Sequence, residues 1–81
     1  MKEFKETVTS GRLAFRCHFR EVISMQGPKY FIQVFDNRDN MHSFEMKMKN
    51  EKDWKIVIPA PEWIIALEET FSALIRKHTI Q

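Results

Sequence analysis

Few side chains in this 81-residue chain combine the type and spacing that chemistry needs. His18 is the best lone candidate for a titrating group, and Arg16 and Arg20 flank it at strand spacing. Two cations beside an imidazole supply neither an orienting acceptor nor a nucleophile to activate, so its expected role is structural or electrostatic. Glu68 and Glu69 are adjacent carboxylates, but neighbouring helical residues do not face each other, and they read as a solvated face. Cys17 is the only cysteine. With apolar residues two positions to either side, it reads as a buried thiol acting as a small hydrophobe, and no intrachain disulfide can form. His18, His42 and His78 are scattered, without the spacing of a zinc site. The chain has no Gly-rich phosphate loop, H-E-x-x-H, C-x-x-C or nucleophile elbow. These absences lead us to expect a protein that is not an enzyme and holds no metal or cofactor.

Another chemistry is written in residues 30–35, YFIQVF. Aromatic and β-branched residues bounded by turn formers read as a strand. Tyr30, Ile32 and Val34 share one face, which leaves Phe31 and Phe35 on the other. Flat apolar rings on a face that should meet water are suited to stacking on bases or on a partner, and the neighbouring elements decide which.

Those elements follow from periodicity. Residues 1–10 are polar and of mixed charge, and are expected to form a flexible arm or an edge strand. Residues 11–81 read as a single domain. Its first strand, about Arg12 to Ile23, alternates Leu13, Phe15, Cys17 and Phe19 with Arg16, His18 and Arg20. Glu21-Val22-Ile23 shifts the phase, which would suit a bulge. The second strand spans Lys29 to Asp36 and the third Met41 to Lys49. Trp54, Ile56 and Ile58 mark the fourth. Pro61 is expected at the first helical position, opening a helix whose Trp63, Ile64, Leu67, Phe71, Leu74 and Ile75 form an apolar stripe. Glu68, Glu69 and Ser72 are assigned to its opposite side. Glu62 suits the positive N-terminal end of the helix, and Arg76 and Lys77 the negative end. The fold class expected is α+β: a four-stranded antiparallel meander followed by one C-terminal helix packed on one sheet face, ββββα.

The face under the helix should hold Leu13, Phe15, Cys17 and Phe19, then Tyr30, Ile32 and Val34. Phe44, Met46 and Met48 join them from the third strand, and Trp54, Ile56 and Ile58 from the fourth. By alternation the other face carries Arg12, Arg16, His18 and Arg20 on the first strand. It carries Lys29, Phe31, Gln33 and Phe35 on the second, Glu45, Lys47 and Lys49 on the third, and Lys55 and Val57 on the fourth. Glu45 is its one acid. Lysine and arginine neutralise phosphates and release counterions, and aromatic rings offer platforms for unstacked bases. The expected partner is therefore single-stranded DNA or RNA. Arg12, Arg16, Arg20, Lys29, Lys47 and Lys55 would meet phosphates, while Phe31 and Phe35 would stack. The competing reading is a protein-interaction module in which the two outward phenylalanines pack on a partner or a second copy. A chain this short buries little core, so a homodimer is expected under either reading.

The stretches GRLAFRCHFR, YFIQVFDN and WKIVIPAPEWIIALEETFSALI resemble, in layout, the Whirly-type single-strand-binding fold that includes the PUR repeats and the positive cofactor four domain. The resemblance covers about 70 residues and lies in element order and hydrophobic pattern. It implies a single bacterial-type repeat that dimerises by exchanging helices and strand ends. It also implies a nucleic-acid face holding Arg16, Arg20, Phe31, Phe35 and Lys47. The chain departs from a binding pattern in its acidic second turn, Asp36 and Asp39, and in its short first hairpin, SMQGP, which lacks basic residues.

The N-terminus, MKEFKETVTS, lacks the apolar core of a signal peptide, and no apolar run approaches the roughly 20 residues of a membrane span. The expected location is cytoplasmic, with no membrane partner.

Overall fold

A two-residue alternation dominates the first two-thirds of the chain and a helical one the remainder, and the structure separates them into a sheet and a helical layer. The computed structural model describes residues 2–50, 52–57 and 59–79. Five strands come first: β1 Glu3–Ser10, β2 Leu13–Ser24, β3 Gly27–Phe35, β4 Met41–Met48 and β5 Trp54–Val57. Two helical segments follow, α1 Glu62–Ile65 and α2 Glu68–Thr79. The strands pair antiparallel in sequence order as one sheet. The class is α+β, but the meander has five strands rather than four.

The extra strand is β1. Phe4, Glu6 and Val8 face inward there and pair with Phe19, Cys17 and Phe15. Gly11 supplies the turn with φ 63°, a left-handed conformation that costs glycine little. Glu6 hides the alternation in the sequence, because a carboxylate occupies an inward position. His78 Nε2 lies 2.9 Å and Lys77 Nζ 3.4 Å from its carboxylate. The hydrogen bond to His78, helped by that to Lys77, holds the Glu6 carboxyl below its usual range against the opposing effect of burial.

Among the described residues the ladders contain no bulge. From Arg16↔Phe35 to Ser24↔Gly27 the β2–β3 register never slips. The phase shift at Glu21-Val22-Ile23 instead marks where β2 overhangs the helical layer, and Ile23 there is 73% exposed. Leu13 and Met48, expected in the core, are exposed for the same reason: both sit at strand ends. Ile58, also assigned to the core, lies outside the described residues.

The helical run is interrupted. Pro61 has φ −59° and ψ 148°, so it caps the first turn rather than entering it. The Leu67 N–H donates to the Ile64 carbonyl at 2.9 Å, a tightened turn that separates α1 from α2. Phe71 of α2 then reaches the sheet centre, its ring 6.1 Å from Phe19 and 5.4 Å from Phe44. Tyr30 is fully buried against Trp54, with ring centroids 5.1 Å apart. Its hydroxyl has no hydrogen-bond partner among the described residues, and burial, helped by nearby Glu21, pushes it up to about 12.

Glu68 and Ser72 do not lie on a solvated helix side. The Glu68 carboxylate accepts the Ile56 N–H at 2.9 Å, and the Ser72 hydroxyl accepts the Trp54 N–H at 3.0 Å. Arg76, one further turn along, donates to Asp53 Oδ1 at 2.8 Å. Residues four apart share a helix face. This polar stripe therefore runs along the open edge of β5, where Glu68 and Ser72 accept the Ile56 and Trp54 N–H groups that point away from β4.

Candidate nucleic-acid interface

The sheet face turned away from the helices is built in cross-strand rows, because partners in an antiparallel ladder project their side chains to the same side. One row reads Val22, Lys29, Lys47, Lys55. The next reads Glu3, Arg20, Phe31, Glu45, Val57. Then come Lys5, His18, Gln33 and Ser43, and finally Thr7, Arg16, Phe35 and Met41. The strands thus bring together Arg16, Arg20, Lys29, Phe31, Phe35, Lys47 and Lys55. Arg12 is not among them: it sits in the β1–β2 turn, beyond the last outward row.

Phe31 and Phe35 are half-buried although no second layer covers them. Each has an arginine directly opposite on β2. The Arg20 guanidinium carbon lies 5.5 Å from the Phe31 ring centroid, and that of Arg16 lies 5.5 Å from Phe35. A guanidinium over an aromatic face is attracted by the ring quadrupole, while the aliphatic stem of the arginine shields the ring edge. Phenylalanine is thereby tolerated on an open face, and two cation–ring contacts stand on it with the row of His18 and Gln33 between them.

Acids on this face are few and local. Lys29 Nζ lies 3.1 Å from Glu45, and Arg16 Nη2 lies 3.0 Å from Asp39 in the β3–β4 loop. His18 and Glu3 approach to 3.9 Å. Lys5, Arg20, Lys47 and Lys55 have no ion-pair partner among the described residues. Lys29, Lys47 and Lys55 stand opposite one another on three adjacent strands, an arrangement of like charges that weakens a sheet unless an anion offsets it.

A hollow of about 700 Å³ lies at the β1–β2–β3 part of the face, lined among others by Lys5, Arg16, His18 and Phe35. Lys5 is the functional candidate that sequence reasoning missed. Its signal was the run Lys5, Thr7, Thr9 between inward Phe4, Glu6 and Val8.

The β3–β4 loop, whose acids argue against a phosphate-binding loop, is explained by its own geometry. Asp36 Oδ1 accepts the N–H groups of Arg38 and Asn40, both at 2.9 Å. Burial would raise the Asp36 carboxyl, but these bonds prevail and hold it below its usual range. Asp39 takes φ 62°, one of the few residue types that tolerate that region. The acids build the turn, and Asp39 also anchors Arg16 beside its ring.

Cys17 points the other way, into the core. Burial pushes its thiol up to about 12, which leaves it inert as a nucleophile. Among the described residues, no group of three or more His, Cys, Asp and Glu side chains is arranged to hold a metal ion, and no helix is long and apolar enough to cross a membrane. Comparison of the chain with protein-family models, curated proteins and solved structures finds no match.

Proposed function

We propose that this protein binds single-stranded DNA or RNA, without catalysis, on the open face of its sheet. The observation that carries this reading is the pair of cross-strand stacks, Arg20 over Phe31 and Arg16 over Phe35, beside the lysine row. Unstacked bases lie on aromatic rings and guanidinium planes alike. Lys29, Lys47 and Lys55 supply the counter-charge for the backbone, and Lys5 does so on the opposite side of the stacks. A duplex suits this surface poorly, since its bases are already stacked on one another. The resemblance of the sequence layout to Whirly-type and PUR-repeat domains supports the same reading. The chain differs from the family pattern in the strand that precedes it.

The test is a titration of labelled single- and double-stranded oligonucleotides at two salt concentrations. Single strands are expected to bind more tightly, with affinity falling steeply as salt rises: for about four phosphate contacts, log K drops with a slope near −3 against log salt. Phe31→Ala and Phe35→Ala should each weaken binding by about five- to a hundredfold, the range for loss of one stacked base. Absence of any complex at tens of micromolar protein, a generous limit for non-specific binding, overturns the reading and leaves the face to a protein partner.

A further inference from the structure

The two edges of the sheet end differently. At β5 the outward N–H groups of Trp54 and Ile56 are taken by Ser72 and Glu68. At β1 nothing comparable is present among the described residues. The Glu21 N–H donates to the Lys2 carbonyl at 2.8 Å. Hydrogen-bonded pairs alternate along an antiparallel ladder, so Phe4, Glu6 and Val8 also exchange their bonds with β2. Glu3, Lys5, Thr7 and Thr9 then turn their N–H and C=O groups outward. These four residues are exposed, and among the described residues their backbone groups have no partner on that side.

Proteins usually guard such an edge with a proline, a bulge, an inward-pointing charge or charged side chains, lysine above all, along it. β1 has no proline, and its ladder with β2 is unbroken from Glu3↔Arg20 to Ser10↔Leu13. Its inward charge, Glu6, is ion-paired with Lys77 and hydrogen-bonded to His78 of its own chain. The guards that remain on β1 are the charged side chains Glu3 and Lys5, which a second copy can match with opposite charges.

We infer that β1 pairs antiparallel with β1 of a second copy, about a two-fold axis through Phe4, to make one continuous ten-stranded sheet. The register is chosen by charge. With the axis at Phe4, Glu3 of each copy lies opposite Lys5 of the other, so the opposite-charge pair occurs twice. An axis at Lys5 sets lysine on lysine, and one at Glu6, Thr7 or Val8 sets neither Glu3 nor Lys5 opposite a charge of the other sign. An axis at Thr7 places Val8 opposite Glu6. Only even sums of paired residue numbers keep the inward faces together. The axis at Phe4 also places the outward-bonding residues Glu3 and Lys5 in hydrogen-bonded pairs. The two open faces then lie on the same side of the joined sheet, so the basic surface is doubled. The inference stands independently of nucleic-acid binding.

The paired segment is short, and the interface is smaller than the roughly 1,600 Å² of a standard complex. The dimer is accordingly weak, and sedimentation equilibrium without oligonucleotide up to about 1 mM protein, where even millimolar affinities register, is the measurement to make. Wild-type protein is expected to dimerise. Glu3→Lys alone and Lys5→Glu alone each place like charges in contact twice, and should weaken self-association by roughly tenfold or more. Mixed in equal amounts, the two variants restore both pairs, and heterodimers should form at about the wild-type strength. Both residues are exposed, and circular dichroism of each variant checks that the fold persists. Wild-type protein that stays monomeric overturns the inference, as does a dimer indifferent to either reversal or a mixture that associates no better than its components.

Discussion

Within the single strand β3, Tyr30, Ile32 and Val34 are fully buried while Phe31 and Phe35, one residue away, are half-buried on a face with no second layer. Both faces carry aromatic rings, but their cover differs in kind. Inward, Phe71 of α2 packs edge-on to Phe19 and beside Phe44, a contact that persists as long as the helix is docked. Outward, Phe31 and Phe35 are covered by Arg20 and Arg16, long side chains anchored on the neighbouring strand. A packed layer yields only by unfolding. An arginine yields by rotating about a few side-chain bonds, on the picosecond-to-nanosecond scale of exposed side chains. The difference separates a core from a surface that can be uncovered and covered again.

The sharpest way to break this contrast is to truncate one ring on each side. Phe71→Ala removes a fully buried ring and should destabilise by about 3–5 kcal/mol. That is a large part of the roughly 4–12 kcal/mol available to a chain of this length. Phe31→Ala should lower stability by about 1 kcal/mol or less, the scale of its arginine contact and partial burial. Urea unfolding of both variants measures the pair. Equal losses would mean that the open face is as much a core as the covered one, leaving no ring free for a ligand.

How much of this was legible in the sequence depended on whether each residue's role was local. Parity within β3 and β4 was legible, because Tyr30, Ile32, Val34, Phe44 and Met46 alternate without interruption. β1 read only as an arm or an edge strand, because Glu6 occupies an inward position whose partners, His78 and Lys77, lie more than 70 residues away. Glu68 and Ser72 looked like a solvent face because helical periodicity sorts residues by polarity. Their acceptors were needed by backbone N–H groups of β5, and no side-chain pattern reports a backbone requirement. The arginine–phenylalanine stacks required the β2–β3 register, fixed by the two-residue turn Met25-Gln26.

The next effect in size concerns where the covered face ends. Ser72→Ala leaves the Trp54 N–H without its acceptor at a buried position, and an unpaired buried donor costs about 1–3 kcal/mol. Ser72→Thr keeps a hydroxyl at the same place and should recover most of that loss. Thermal unfolding of the two variants separates loss of the acceptor from loss of packing. If alanine and threonine destabilise equally, the hydroxyl is incidental and the edge of β5 is closed by apolar contact alone.

The smallest effect is the most telling for the open face. Arg20→Ala removes the cover from Phe31 and should lower stability by only about 0.5–1 kcal/mol, the value of an exposed cation–ring contact. Arg20→Lys keeps the charge but loses the planar guanidinium held over the ring. If the guanidinium serves only to shield the ring, the two variants destabilise alike and bind oligonucleotide alike, apart from the lost charge in alanine. If it also stacks with a base, lysine should bind more weakly than arginine at equal salt dependence, because the phosphate contacts are unchanged while a flat surface is gone. An affinity difference that disappears at high salt would instead trace the role of Arg20 to charge, and Phe31 would then be a ring kept covered rather than one that is offered.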